Sequence, residues 1–543
     1  MSNRIQTGIA LIFLTTALGL DGCGGGSSNS SPAPAPVFPP PSASLVQASA
    51  LSPFGTSCNG APQSGRLYPQ AEVEPYVAVN PTNSLNVIGV WQQDRWSNGG
   101  AQGLIAANSF DAGLSWNRHP LPTSNCAGGT PANGGDYERA SDPWISFSPT
   151  GIAYAISLSF NDSDGTSAML VTRSGDGGDT WSNPITLRSD GNQVLNDKES
   201  ITADPTDANY VYAEWDRINS KGYGPAWFAR TTDGGQSWGT AHIIYDPGQN
   251  ATAGNQTLGN IIVVLPNGTL LDLFDEIDYA GGQYTAAYKV IRSTDQGASW
   301  STPIKVGDEL AIGASDPQTG EAIRDGSGLA DIAVGPGGSI YVAWQDARFS
   351  NGQHDGIALS SSSDNGLTWT SPVEINADHS VQAFTPSISV LNDGTLVVTY
   401  YDLRNDTPDP GTLAADLWQI TSTDGGAHWQ ERHVSGPFNL ALAPNAEGLF
   451  LGDYQGLAND GTDSLPFFVR TVSSATGPTD VFDLPPSTST PLLRAITPGY
   501  AALPAAHYAA DPAFRERIGR NLQRLVQRKA RRPQPPRRPV MPD

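Results

Sequence analysis

Four segments of this chain run through β-branched and aromatic residues into an Asp and an Arg: VIGVWQQDR (Val87 to Arg95), YVYAEWDR (Tyr210 to Arg217), YVAWQDAR (Tyr341 to Arg348) and VVTYYDLR (Val397 to Arg404). A guanidinium forks onto carboxylates and phosphates, so Arg95, Arg217, Arg348 and Arg404, with Arg139 in ERASDPW, are candidate ligand-binding residues for an anion. The same arginines have a plainer use, because Asp94, Asp216, Asp346 or Asp402 beside each would neutralise it in a loop-fixing ion pair. A repeated feature serves architecture more readily than catalysis, since active sites are asymmetric. Residues that break the pattern therefore carry more weight: Glu74, Arg139, Asp142, the triplet Asp197-Lys198-Glu199 and the triplet Gly452-Asp453-Tyr454. Their carboxylates, lysine and tyrosine offer proton transfer and nucleophilic attack. Each also suits a structural hydrogen bond.

Other chemistries find little support. NDSDG (Asn161 to Gly165) and NDGTD (Asn459 to Asp463) space oxygen ligands closely enough for Ca²⁺, yet such strings are ordinary turns as well. Seven scattered histidines give no zinc spacing, and there is no phosphate loop, dinucleotide fingerprint or serine-hydrolase elbow. No cofactor is expected to be required.

The elements that hold these residues come from repetition. One octet recurs six times: SFDAGLSW, SGDGGDTW, TTDGGQSW, STDQGASW, SSDNGLTW and STDGGAHW, with aspartates at Asp111, Asp176, Asp233, Asp295, Asp364 and Asp424. In SxDxGxTW the carboxylate and hydroxyl accept bonds from turn amides, Gly supplies a positive φ, and Trp packs under neighbouring strands. The spacing of roughly 60 residues suits one four-stranded antiparallel unit with generous loops. Each unit reads strand, turn, strand ending in Asp and Arg, loop, strand, octet, strand. In such a unit the start of the first strand and the end of the second share one face, and the octets lie on the other. The segment Leu451 to Pro485 has three strand-like runs and no octet. It is either a seventh unit, completed by the stretch before Tyr68, or an elaboration of a six-unit ring.

The octet is the Asp box, or BNR repeat, and the chain from about Glu72 to Leu484 resembles the sialidase superfamily. The resemblance implies an all-β, six-bladed β-propeller of four-stranded antiparallel blades, or a seven-bladed one, over 45–486. It implies an exo-acting glycoside hydrolase that clamps an acidic sugar with arginines. By that pattern Tyr454 is the nucleophile, Glu199 its base partner and Asp94 or Asp142 the acid, with Glu74 at the substrate. The family's first blade opens with Arg-Ile-Pro, whereas this chain has EPYVAV from Glu74 to Val79. That departure favours a rival reading, a non-catalytic propeller that binds glycan or protein. A scaffold or assembly role is the third.

At the beginning, Arg4, the apolar run Ile9 to Leu20 and then Cys23 resemble a bacterial lipoprotein signal (1–23), which implies export and lipidation of Cys23. The expected location is the outer membrane or cell surface, otherwise the periplasm or medium. Residues 24–44 are Gly, Ser and Pro, the composition of an extended tether. Cys58 and Cys126 are then expected to pair, the alternative being two free thiols. In the extension 487–543, residues 511–530 pattern as an amphipathic helix with Phe514, Ile518, Leu522 and Leu525 on one face and arginines on the other. That helix either lies on an anionic membrane or stays solvated. The net charge of -23 conceals 10 of the 30 Lys and Arg between Arg515 and Arg538, so the body is more acidic still and nucleic acid is not an expected partner. A monomer that meets a glycan or glycoconjugate is the expectation.

Overall fold

A computed structural model describes residues 44–248, 254–472, 477–486, 494–496 and 511–530. The signal, Cys23 and nearly all of the tether fall outside these residues.

The chain is all-β, and its strands pair in antiparallel units of four, each in sequence order. The first unit is Leu67–Val79, Val87–Trp96, Ala101–Ser109 and Asn117–Pro120, and the second is Arg139–Phe147, Ala153–Phe160, Ser167–Ser174 and Ile185–Asp190. The third runs Val194–Ala203, Val211–Asn219, Ala226–Thr231 and His242–Tyr245, and the fourth Gln256–Val264, Leu270–Ala280, Gln283–Ser293 and Ile304–Asp308. Asp331–Val334, Ile340–Asp346, Gly356–Ser362 and Val373–Glu374 make the fifth; Ala383–Val390, Leu396–Asp402, Ala414–Ser422 and Trp429–Asn439 make the sixth, which Arg494–Ile496 extends. After these, Gly456–Asn459, Ser464–Thr471 and Thr479–Asp483 form a three-stranded meander. Its outer edge is taken by Val46–Gln47 from the other end of the described chain, with Val46 opposite Asp483. The first strand of every unit touches the first strand of the next, and Gly456–Asn459 touches Leu67–Val79.

The octets build one turn six times. In the first, Asp111 accepts the Ser109 hydroxyl at 2.7 Å and the Ser115 amide at 2.8 Å, while the Gly113 amide donates to Ser109 Oγ at 2.9 Å. Gly113 needs its φ of 92°, which an L side chain rarely adopts. The Trp that ends the octet is pressed against the adjoining unit: Trp116 lies 5.4 Å from the Phe467 ring and its indole N–H donates to Asp483. Burying such a ring is worth about 2–3 kcal/mol, so the octet couples a local turn to packing between sheets.

Cys58 and Cys126 are bonded, which ties the segment before the first unit to the short 3-10 helix Asn125–Ala127. The α-helix Pro512–Ala530 is neither solvated nor free for a membrane on its apolar side. Phe514, Ile518, Leu522 and Leu525 are buried against Leu258, Ile277, Ala286 and Ala347 of the fourth and fifth units. This corrects both expectations for it, because the apolar stripe finds a protein surface first. Among the described residues no helix is long and apolar enough to cross a membrane.

Candidate functional site

The first strands share an irregularity. Pairing with the second strand slips between Val73 and Tyr76, Ser141 and Trp144, Asp197 and Ser200, Leu258 and Ile261, and Phe384 and Ser387. At each slip one residue has a positive φ: Glu74 52°, Asp142 49°, Lys198 50°, Gly259 66° and Thr385 50°. A β-bulge turns its side chain out of the ladder, and four of these five are not glycine, so each holds a conformation that costs roughly 1–3 kcal/mol. Three of the five are charged and stand on the first strands of three consecutive units.

Lys198 is the hub. Its Nζ lies 2.7 Å from Asp142, 2.8 Å from Asp453 and 3.6 Å from Glu74, and its side chain is 10% exposed. Burial opposes its charge, yet these carboxylates raise its pKa well above the usual value. In return Lys198 holds Asp142 well below the carboxylate range against the effect of burial. Arg324 and Lys198 do the same for Asp453, which accepts Arg324 Nε at 2.8 Å. Glu74, fully buried, goes the other way: burial and the neighbouring Asp142 push it up. Its carboxylate accepts the Gln92 side chain.

Above this cluster opens a cavity of about 160 Å³. Arg95, Asp142, Lys198, Arg324, Asp325 and Asp453 contribute its polar wall, and Leu525 and Arg528 of the helix another part. No Asp-box residue lines it, in keeping with octets on the opposite face. The Arg95 and Arg324 guanidiniums both lie over the Phe450 ring, at 4.9 and 4.2 Å. Arg324 is matched by Asp453, whereas Arg95 donates to Gln92 Oε1 at 2.6 Å and its buried Nε has no partner. Burial, and then repulsion from Arg324, lowers the Arg95 pKa.

A smaller cavity of about 40 Å³ lies beside it, sharing Lys198 and Asp453 and lined by Tyr454, Glu199, Tyr76 and Trp144. The Tyr454 hydroxyl donates to the Pro143 carbonyl at 3.1 Å, and its ring meets Trp144 edge-on at 5.2 Å. Burial, followed by the surrounding carboxylates, raises the pKa of Tyr454 well above that of a free phenol. Glu199 is also pushed up by burial and by Asp142; one oxygen accepts the Leu158 amide and the other has no hydrogen-bond partner.

The remaining expected site residues lie elsewhere. Arg139 is spent on Asp162 at 3.1 Å and on Gln63, Asn98 and the Ser64 and Gly99 carbonyls. Arg217 pairs with Asp190 at 2.6 Å rather than with Asp216, Arg348 with Asp346 at 2.6 Å, and Arg404 with Asp402 and Glu431 at 2.6 and 2.8 Å. None of the four lines either cavity, unlike the place at a ligand expected for them: each is held by a carboxylate instead. Asp94 accepts Ser52, the Gln70 amide and Gln102 and so anchors the segment before the first unit. Of the two candidate Ca²⁺ turns, one has Asp162 held by Arg139 and Ser64, and in the other Asp460 caps the amides of Thr462 and Asp463. Among the described residues no three His, Cys, Asp or Glu are grouped to hold a metal. Arg324 and Arg528 belong to no repeat. Arg324 signals itself only by standing just before the fifth unit's first strand, as Asp142 and Lys198 stand in theirs.

Residues 226–448 match the family of BNR repeat-like domains. A search of the curated proteins finds no match. Among solved structures, the chain is similar to a protein of Dyadobacter fermentans (14% identity, TM-score 0.42, 78% of this chain and 95% of that one). It is similar also to an α-L-arabinanase of Penicillium chrysogenum (13%, TM-score 0.41, 77% and 96%) and to a sialidase of Streptococcus pneumoniae (13%, TM-score 0.39, 81% and 70%).

Proposed function

We propose, from the match of residues 226–448 to BNR repeat-like domains, that the chain is a seven-bladed β-propeller acting on carbohydrate, with a pocket that takes an acidic sugar. The cyclic contact of first strands and the strand lent by Val46–Gln47 to the last meander support seven blades rather than six. One observation carries the ligand class: Arg95 is a buried guanidinium lining the cavity with a nitrogen unpaired, beside a second arginine on the same aromatic ring. A buried cation without a matched anion is costly, and a carboxylate entering the cavity would supply two charge-assisted bonds. Exo action, in which such a pocket takes one terminal sugar residue, is part of the same proposal.

As a glycoside hydrolase the site would use Tyr454 for attack and Glu199, which lines the same small cavity, to receive its proton. Asp142 cannot then be the proton donor, because Lys198 keeps it ionised. Turnover would accordingly be best with aryl glycosides, whose leaving groups need no proton. The binding reading draws on a different feature, the Tyr454 hydroxyl already committed to Pro143. Export on a lipidated Cys23 remains part of this proposal, to be checked by mass spectrometry of the mature protein.

A screen of the full chain against fluorogenic sialosides and other acidic aryl glycosides, beside a glycan array, separates the two readings. Turnover that falls at least about a hundredfold in Tyr454→Phe supports hydrolysis. Array binding to acidic glycans without turnover supports recognition alone. Neither turnover nor binding would defeat the carbohydrate reading.

A further inference from the structure

The helix Pro512–Ala530 is seated by design of the chain rather than by chance contact. Gly328, with a φ of 76°, lies under Leu525, and a Cβ there would come 2.9 Å from the leucine. Gly352, at 74°, lies under Phe514 with no room for a side chain at all. Asn521 is buried and donates to the Ala311 carbonyl at 3.2 Å, so the seat also satisfies the helix's polar residue. The helix ends its described course at the cavity, where Leu525 and Arg528 form part of the wall.

Arg528 is half-buried and lies in the field of Arg324, Asp453, Asp325 and Glu447, yet it makes no ion pair with any described residue. Burial and Arg324 together lower its pKa. Three arginines thus line one small cavity, from three distant parts of the chain: Arg95 ends a strand of the first unit, Arg324 precedes the fifth, and Arg528 comes from outside the sheets. Of the three only Arg324 is ion-paired among the described residues, to Asp453, which it shares with Lys198.

We infer that the C-terminal helix is a working wall of the pocket and that Arg528 is a specificity-determining residue for the ligand's acidic group. The inference rests on the acidic-sugar reading above and adds to it the part of the chain that completes the pocket. Arg528 brings a positive charge where Arg95 and Arg324 already converge, and a monoanionic ligand would relieve the repulsion among them. A neutral ligand of the same shape would not.

The test uses the full chain and two probes, N-acetylneuraminic acid and its methyl ester, titrated calorimetrically. In Arg528→Gln the free acid binds weaker on the order of tenfold, the loss of one charge-assisted bond, while the ester is unaffected. Phe514→Ala, which loosens the helix at its far end, weakens the acid as well and leaves the main melting transition in place. If Arg528→Gln binds the acid as the parent does while Arg95→Gln does not, the helix inference fails and the acidic pocket stands. Tighter binding in Phe514→Ala would make the helix a plug and also overturn it. If the parent binds neither probe nor D-glucuronic acid, both readings fall together.

Discussion

Lys198 and Asp142 meet across the boundary between the second and third units, Nζ to Oδ2 at 2.7 Å, each from a bulge residue with φ near 50°. Two strained backbones therefore hold one ion pair, and the pair holds the bulges. Lys198→Met should leave Asp142, Asp453 and Glu74 facing one another in a buried space. The expected cost is about 3–5 kcal/mol, read as a large fall in the denaturant midpoint, because a buried charge that loses its partner is worse than no charge. A variant as stable as the parent would mean that water already solvates the cluster.

The Asp boxes predict an acid limit. Hydrogen bonds from Ser237, Ser299, Thr368 and His428 pull Asp233, Asp295, Asp364 and Asp424 down to about 2. A carboxyl whose folded pKa is depressed contributes stability above its unfolded pKa near 3.9, and loses it as pH falls through the folded value. Melting temperature should drop steeply from about pH 4 to about pH 2. Asp233→Asn, measured by scanning calorimetry, should lower the melting temperature at pH 7 and make that drop shallower.

Glu214 predicts the opposite slope on the alkaline side. Burial pushes it up to about 8, and it faces Asp272, itself raised by burial and by Glu214. Its bonds come from Ser200 Oγ at 2.5 Å and the Ile262 amide at 2.7 Å, with Asp216 on the same strand. A carboxyl with a raised folded pKa favours the fold most below its unfolded pKa, and that contribution is lost as pH rises through about 8. Stability should decline from pH 5 to 8, by on the order of 1 kcal/mol per pH unit for one such group. Glu214→Gln should flatten the decline, and an unchanged slope would locate its cause elsewhere.

The bond between Cys58 and Cys126 closes a loop with a sequence separation of 68. Cys126→Ser should cost about 2–4 kcal/mol, chiefly by freeing the unfolded chain, without disturbing the pocket. Thiol titration of the denatured parent should give no free thiol from this pair until reductant is added.

Repetition made the scaffold readable and the site hard to read. Asp111 and its five counterparts announce themselves because a turn needs the same atoms each time. The Asp and Arg strand ends are equally visible, and Arg217, Arg348 and Arg404 are architectural: Arg348 and Arg404 pair within their own unit and Arg217 with Asp190 of the preceding one. Glu74, Asp142 and Lys198 stand out only as departures from the repeat, and their shared bulge is invisible without pairing register. Arg324 and Arg528 could not be linked to Arg95 at all, since their meeting over one cavity is set by contacts between units far apart in sequence and by helix docking. No local pattern encodes that.

A crystal structure of the full chain with an acidic sugar tests the central claim most directly. The account predicts the sugar's carboxylate in the cavity, within hydrogen-bond distance of Arg95 and facing Arg324. A sugar held there by its hydroxyls alone with its carboxylate turned to solvent, or bound only on the Asp-box face, would contradict it.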